Sequence, residues 1–140
     1  MGRPPSSIIL FCILLVLGSS CLSKHPSVTE TKILEITDTV NEDLIYQLGK
    51  LTLNDRRELK LIIENRTQTP IVINEVRRFC GCTIPHFDSE PIKPNESGEV
   101  EITYVADHLG IFSKSVKVYL STQRKPFQLL FKGEVVKEGN

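Results

Sequence analysis

The sequence contains no tryptophan and no apolar run long enough to cross a membrane. Its longest apolar stretch, from Ile8 to Leu17, has ten residues. As a helix this stretch would rise about 15 Å, half of the roughly 30 Å hydrocarbon core of a bilayer. We therefore expect no stable transmembrane span. A run this short behind a single basic residue, Arg3, is typical of a signal peptide.

The chain also lacks an excess of either charge. Without residues 1–20, which contain Arg3 and no acid, 16 Lys and Arg remain against 17 Asp and Glu, a formal charge near −1. Nucleic-acid binding usually requires a basic surface that displaces counterions from phosphates, so we expect no nucleic-acid partner. The doublets Arg56–Arg57 and Arg77–Arg78 are interpreted as solvated strand ends.

Sequence motifs of catalysis are missing as well. There is no Gly-x-Ser-x-Gly, no His-Glu-x-x-His and no phosphate-cradling glycine loop. A cysteine nucleophile needs a base within hydrogen-bond reach, and only His86 follows the cysteines closely. Asp88 and Glu90 are interpreted as loop residues. We therefore expect no catalytic residue, no enzymatic activity and no small-molecule substrate.

The N-terminal segment predicts export and a lipid anchor. Residues 1–20 are predicted to be a lipoprotein-type signal peptide, because small residues precede Cys21 as they precede a lipidated cysteine. Such motifs usually have leucine three residues before the cysteine, where this chain has Gly18. The alternative is ordinary secretion that leaves Cys21 as a free thiol. Polar residues 21–31 predict a flexible tether, and the predicted location is the bacterial cell envelope.

The rest of the chain, residues 32–140, predicts a single β-domain. Apolar and polar residues alternate with a period of two in four segments, which gives each strand one core face and one wet face. The predicted core residues are Leu59, Leu61, Ile63, Val100, Ile102, Tyr104, Val116, Val118, Leu120, Phe127, Leu129, Phe131 and Val135. Further strands are predicted at Ile71–Val76, Ile33–Ile36 and Leu44–Leu48. About seven short strands favour an antiparallel β-sandwich.

Turn residues separate these strands. Pro94-Asn95 followed by Gly98 predicts a turn that needs φ > 0, which asparagine tolerates better than other non-glycine residues. We therefore interpret Asn95 and Gly98 as critical for this turn. No cysteine pair is spaced to bridge two sheets, so an antibody-type domain is disfavoured.

Several segments in this order resemble one family. They are "YQLGKLTLND", "LKLIIENRTQTPIVINEVRRFCGCTIP", "EPIKPNESGEVEITY", "GIFSKSVKVYLST" and "LLFKGEV". Together they resemble the bacterial family known as domain of unknown function 1573, from about Tyr46 to Val136. Asn95 stands where the family usually has glycine. The resemblance implies export and an immunoglobulin-like sandwich similar to the domains of hydin and major sperm protein, and it implies no activity.

The segment Cys80-Gly81-Cys82 allows three interpretations. The first is a disulfide or a redox-labile pair, which an oxidising compartment would favour. The second is a copper or zinc site formed by Cys80, Cys82 and His86, with Asp88 or His108 as a further ligand. The third is a tight turn with two small thiols. If Gly81 adopts φ > 0, it is critical for the turn and valine there would be strongly disfavoured.

Two functions follow from these observations. The first is a lipid-anchored binding or adaptor module of the envelope, held to the membrane through Cys21, with a protein partner at its loops or at an unpaired edge strand. The alternative is a thiol-redox or copper-binding envelope protein that uses Cys80, Cys82 and His86.

Overall fold

The computed structural model describes residues 29–37 and 43–139, which form two four-stranded β-sheets packed face to face. The predicted all-β sandwich is therefore confirmed. In chain order its strands are β1 (Thr29–Ile36), β2 (Leu44–Thr52), β3 (Arg56–Asn65), β4 (Ile73–Arg78), β5 (Thr83–Phe87), β6 (Ser97–Val105), β7 (Gly110–Leu120) and β8 (Phe127–Val136). The described part of the chain has no helix that could serve as a membrane span.

The N-terminal predictions lie mostly outside the described residues. This applies to the signal peptide, to Cys21 and to the tether as far as residue 28. Residues 29–31, which were assigned to the tether, belong to β1. The folded domain therefore begins three residues earlier than predicted.

The order of strands in the first sheet is β1-β3-β6-β5, and in the second sheet it is β2-β8-β7-β4. β1 runs parallel to β3 and β2 runs parallel to β8, whereas the other pairs are antiparallel. Sequence analysis predicted an antiparallel sandwich of about seven strands; the described residues form eight strands, and two of their six pairings are parallel. Between β1 and β3 the chain runs through β2 in the other sheet, so it returns to the first sheet in its original direction.

The strand that sequence analysis missed is β5. It has five residues with Pro85 at its centre, and proline is tolerated only where no ladder hydrogen bond is needed. Val105 N donates to Cys82 O over 2.9 Å, so alternate residues from Cys82 onward bond to β6. The nitrogen of Pro85 consequently faces the free edge of the sheet, where it costs no hydrogen bond.

Three chain connections meet at one end of the sandwich, which we call the crossover end. They are the β4–β5 crossover (residues 79–82), the β2–β3 turn (53–55) and the β6–β7 connection (106–109). Asn54 N donates to Ala106 O over 2.7 Å, and this bond ties two of them together. β1 also begins here, because Thr29 pairs with Glu58 near the start of β3. The opposite end, the far end, contains residues 66–72, 88–96 and 121–126.

The core lies between the inner faces of the two sheets. All thirteen residues that the alternation predicted to face the core are buried. Tyr104 stacks on Phe112 with ring centroids 4.7 Å apart, and the hydroxyl of Tyr46 donates to Lys60 O over 3.1 Å. Burial raises the pKa of Tyr46, and it raises that of Tyr104 to about 12. Both phenols therefore stay neutral at alkaline pH values at which an exposed tyrosine would ionise.

The turn before β6 has the conformation that its sequence indicated. Asn95 has φ of 64°, in the left-handed region, and its backbone N donates to Asn65 O over 2.8 Å. Gly98 is needed for a different reason. An added Cβ at Gly98 would lie 2.4 Å from Ile92 Cδ1, so the buried Ile92 side chain fills the space that any larger residue would require.

Asn65 is a fully buried polar residue at the far end of β3. Its Nδ2 donates to Thr69 O and Ile92 O, both over 2.8 Å, and its Oδ1 accepts from Thr67 N and Thr67 Oγ1 at 2.9 and 2.7 Å. The side chain thus uses both donor hydrogens and both acceptor lone pairs. It connects the β3–β4 connection to the segment that precedes β6.

We expect Asn65→Ala to destabilise the fold by about 2 to 4 kcal/mol, because it removes the four hydrogen bonds of a fully buried side chain. Urea denaturation followed by circular dichroism measures the loss. Asn74→Ala on the exposed side of β4 is the matched control and should change the free energy of unfolding very little. Equal effects of the two variants would contradict the role of Asn65.

Candidate functional site

The β4–β5 crossover carries the cysteine motif. Four residues, 79–82, take the chain from the edge of the second sheet to the edge of the first. Cys80 and Cys82 are joined by a disulfide, with their Cα atoms 5.3 Å apart. Residues i and i+2 of an extended chain are separated by roughly 6.5 to 7 Å, so the backbone bends between the two cysteines.

The two sulfur atoms have unequal access to solvent. Cys82 is 4% exposed and belongs to the core, whereas Cys80 is half-buried beside it. The hydroxyl of Thr83 lies 3.7 Å from Cys80 Sγ, and Arg78 donates to Thr83 O over 3.2 Å. Because thiol–disulfide exchange requires direct attack on a sulfur, an external thiol would approach Cys80 rather than Cys82.

The backbone at Gly81 is not left-handed. Positive φ angles occur at Gly49 and Gly110 among the described glycines, and a Cβ added at Gly81 would meet no atom within 4 Å. The bend between the cysteines is therefore formed within ordinary backbone conformations. Gly81 was expected to be critical for the turn if its φ were positive, and its φ is not positive.

The structure does not assemble the metal site that the sequence suggested. Cys82 faces the core, whereas His86 is exposed on the outer face of β5. Asp88 follows β5 toward the far end, and His108 lies in the β6–β7 connection with its Nδ1 2.9 Å from Asp107 Oδ1. Within residues 29–37 and 43–139, no three His, Cys, Asp or Glu side chains lie close enough to hold a metal ion.

Large apolar side chains are exposed at the crossover end. Ile111 is 89% exposed, and the nearby connections add Leu53 and Leu109. We call these three the tip residues. Phe79 is 60% exposed but lies higher, with its ring centre 5.4 Å from the amine of Lys117 in the middle of β7. Sequence reasoning missed all four side chains, although the adjacent pair Ile111-Phe112 was a usable signal. Because neighbouring strand residues point to opposite faces, only one of the two can enter the core.

The two arginine doublets lie at different heights of the sandwich, because Arg77 and Arg78 pair with Lys117 and Val116 in the middle of β7. Arg56 and Arg57 begin β3, and Arg77 and Arg78 end β4, so the prediction that the doublets mark strand ends is confirmed. Arg77 Nη2 lies 2.9 Å from Glu75 Oε2 on its own strand. In the β6–β7 connection, a hydrogen bond from His108 lowers the pKa of Asp107. The crossover end thus combines apolar tips with the guanidinium groups of Arg56 and Arg57.

The first sheet has two different edges. On β1, Ile36 O accepts from Arg66 N over 2.9 Å, so Ile36 and alternate residues before it bond to β3. Residues 31, 33 and 35 therefore direct their N–H and C=O groups outward. The outer edge of β5 is less open, because Pro85 has no N–H and Arg78 occupies the Thr83 carbonyl.

A depression of about 230 Å³ lies beside β1 on the outer face of the first sheet. Its lining includes Lys60, whose Nζ is 2.7 Å from Glu99 Oε1 and 3.2 Å from Glu101 Oε1. Hydrogen bonds with these two carboxylates raise the pKa of Lys60. Lys60 is already paired with two carboxylates, so an anionic ligand would have to compete with this ion-pair cluster.

The two glycines that sequence analysis singled out should respond differently to alanine. Gly98→Ala places Cβ against the buried Ile92, and we expect it to cost about 1 to 3 kcal/mol of stability. Gly81→Ala enters open space and should cost no more than about 0.5 kcal/mol. Urea denaturation of both variants measures the difference. A larger loss at Gly81 would show that the crossover is strained.

Comparisons with solved structures show the fold alone. A protein of unknown function from Porphyromonas gingivalis W83 matches with a TM-score of 0.57 and 16% identity, over 66% of this chain and 44% of that one. This chain therefore spans less than half of that protein. Amebosin, solved in solution, matches with a TM-score of 0.41 and 11% identity, over 68% of this chain and 99% of that one, which is too distant to carry an argument.

Sequence comparison identifies the family. None of the curated proteins matches this chain. The profile of the family described as "Protein of unknown function (DUF1573)" matches residues 39–135, which include β2 to β7, all of β8 except its last residue, and the disulfide. This confirms the resemblance drawn from the sequence motifs. The chain belongs to the DUF1573 family.

Proposed function

We propose that this protein is an exported, lipid-anchored binding module of the bacterial cell envelope that recruits a protein partner and catalyses no reaction. The anchor is proposed at Cys21, behind the short apolar run and its small residues. The single observation that supports recruitment is the open edge of β1. An unpaired strand edge can accept a partner strand through backbone hydrogen bonds.

β1 is a regular strand whose outer edge pairs with no other strand among residues 29–37 and 43–139. It has eight residues, no proline and an unbroken register with β3. Ile33 lies on an outward-bonding position, and its side chain is 62% exposed. An added strand would therefore find backbone donors and acceptors together with an apolar side chain that gives the contact specificity.

The other sheet edges are less suited to strand addition. Pro85 removes an outward donor from β5, and Arg78 already uses an outward carbonyl. In the second sheet, the edge strand β2 has a register shift between Gln47 and Gly49, and β4 has one between Ile73 and Glu75. Such bulges twist an edge away from regular pairing.

Thr31→Pro tests the β1 edge directly. It removes one outward N–H while the bonds from β1 to β3 are retained, just as Pro85 does in β5. We expect recovery of the partner, crosslinked in native membranes and identified by mass spectrometry, to fall about tenfold. Thr31→Ala is the matched control, because it changes the side chain and keeps the N–H.

The controls separate folding and anchoring from binding. Circular dichroism melting should show that both Thr31 variants fold, and the mass of the N-terminal peptide should show acylated Cys21. Equal recovery of the partner with proline and alanine would exclude the β1 edge as the binding site. Recovery of the monomer alone in every sample would remove the basis of the adaptor proposal.

A second candidate function, thiol-redox exchange, is favoured by the Cys80–Cys82 disulfide. A partner thiolate would attack Cys80 Sγ and release Cys82 as a thiolate, which takes up a proton. A second partner thiol would then attack the mixed disulfide, releasing Cys80 as a thiol and leaving the partner oxidised. Two electrons and two protons pass in this exchange from a dithiol partner to this disulfide.

The redox candidate predicts reversible reduction at a potential near that of the compartment. Alkylation in glutathione buffers of graded ratio, followed by mass spectrometry, measures that potential. Since the bridge closes only three residues, reduction should cost about 1.5 kcal/mol of stability, so the reduced protein should remain folded. A pair that stays fully oxidised at every ratio would exclude exchange, and unfolding on reduction would show a structural staple.

A further inference from the structure

The outward backbone groups of β1 are arranged symmetrically about Ile33. Thr31 and Glu35 lie two residues before and after it, and all three residues direct their N–H and C=O groups away from β3. When two copies of this strand run antiparallel with Ile33 opposite itself, Thr31 of each copy lies opposite Glu35 of the other. Residues opposite each other in such a hydrogen-bonded position exchange two backbone bonds. Every outward group of these three residues therefore finds a partner in a second copy of the same strand.

The apolar side chains of this edge favour the same arrangement. Ile33 is 62% exposed on the outer face of the first sheet, and it lies beside the half-buried Ile62 of β3. With Ile33 opposite Ile33 of a second copy, the two first sheets become one continuous sheet, and two isoleucines from each copy form a row across the junction. Side chains directly opposite each other on one face are in contact, and removing apolar surface from water is favourable. The second copy thus covers an isoleucine that its own fold leaves exposed.

The two neighbouring two-fold registers of this strand are less favourable. With Lys32 on the symmetry axis, two ammonium groups would lie directly opposite each other, and like charges in that position are destabilising. With Leu34 on the axis, Ile33 would lie opposite Glu35 and would lose its apolar contact. With Ile33 on the axis, Lys32 lies opposite Leu34 and Glu35 lies opposite Thr31, so no two like charges meet. The sequence of β1 therefore favours one register.

We propose that the partner at the β1 edge is a second copy of this chain, joined by antiparallel pairing of β1 with Ile33 on the two-fold axis. The inference rests on the proposed function, in which this edge recruits a protein. Both copies use the same edge, so the assembly closes as a dimer. A contact of one strand edge is small, so the dimer is weak in dilute solution. Anchoring of both copies in one membrane raises their effective concentration and favours the dimer.

Single cysteines test the register directly. In the proposed pair the Cα atoms of the two Ile33 residues lie about 5.5 Å apart, within the range that a disulfide bridges. We expect Ile33→Cys, in the full-length protein in native membranes, to give a crosslinked dimer under mild oxidation. Thr31→Cys and Glu35→Cys should each give no crosslink alone, because neither lies opposite its own copy, and should crosslink to each other when the two variants are co-expressed. Mass spectrometry of the joined peptides identifies each crosslink and separates it from any bridge through Cys21.

Charged residues on the axis give a second, noncovalent comparison. Ile33→Glu and Ile33→Lys each place two like charges directly opposite each other and remove the apolar contact. Each variant alone should dimerise about tenfold more weakly than the unchanged chain in sedimentation equilibrium of the full-length protein in detergent. An equimolar mixture should recover the dimer, because the two new side chains then carry opposite charges. Circular dichroism melting checks that both variants fold.

The outcomes separate failure of the dimer from failure of the proposed function. Crosslinking at residue 33 that is no stronger than at residue 35, or a mixture of charged variants that dimerises no better than each alone, would overturn the dimer. A different protein that Thr31→Pro releases, without any crosslink at residue 33, would also overturn the dimer and leave recruitment by the β1 edge standing. No crosslink at residue 33, together with equal recovery of all partners from Thr31→Pro and Thr31→Ala, would exclude both.

Discussion

The hydrogen bonds of Asn65 are the interaction on which the arrangement of the connections depends. A sandwich whose strands alternate between sheets must bury parts of its long connections, and buried carbonyls without donors are costly. One amide of Asn65 donates to both Thr69 O and Ile92 O, which also accept from Thr67 Oγ1 and Ile71 N, and its backbone N and O bond to Glu96 and Asn95. It therefore links the segment before β4 to the segment before β6.

This linkage has consequences at the opposite end of the molecule. β4 and β5 are edge strands of different sheets, and they are joined by only four residues. With both strands held in place, the crossover has little freedom, and the Cys80–Cys82 disulfide spans a bend that the fold already requires. The disulfide is therefore suited to a chemical role, because its removal leaves both flanking strands paired to β6 and β7.

The proposed binding edge of β1 consists of the outward backbone groups of residues 31, 33 and 35. Natural sheets usually protect their edges, as Pro85 and Arg78 do for β5. An edge that lacks such protection in the same sheet is a reasonable place for a partner.

Much of the fold could be predicted from the sequence, because side chains on a strand alternate between core and solvent. The alternation around residues such as Leu61, Ile102 and Leu129 predicted both the strand and its core face, and all three side chains are buried. β5 could not be found in this way, since its exposed Ile84 and His86 and its Pro85 do not alternate as a core strand does. The parallel pairing of β1 with β3 and of β2 with β8 could not be predicted either. Alternation shows which side chains of a strand face the core, but it does not show which strand lies beside it or in which direction that strand runs.

For the candidate sites too, some features could be predicted from the sequence and others depend on the tertiary structure. The sequence by itself determined the family, the all-β class, the inward residues and the left-handed Asn95, since all of these follow from local pattern or motif. Only the tertiary structure decided that His86 and Cys82 face apart and that Gly98 is required by Ile92. These facts depend on which strands become neighbours, and strand pairing is set by contacts between residues far apart in the chain.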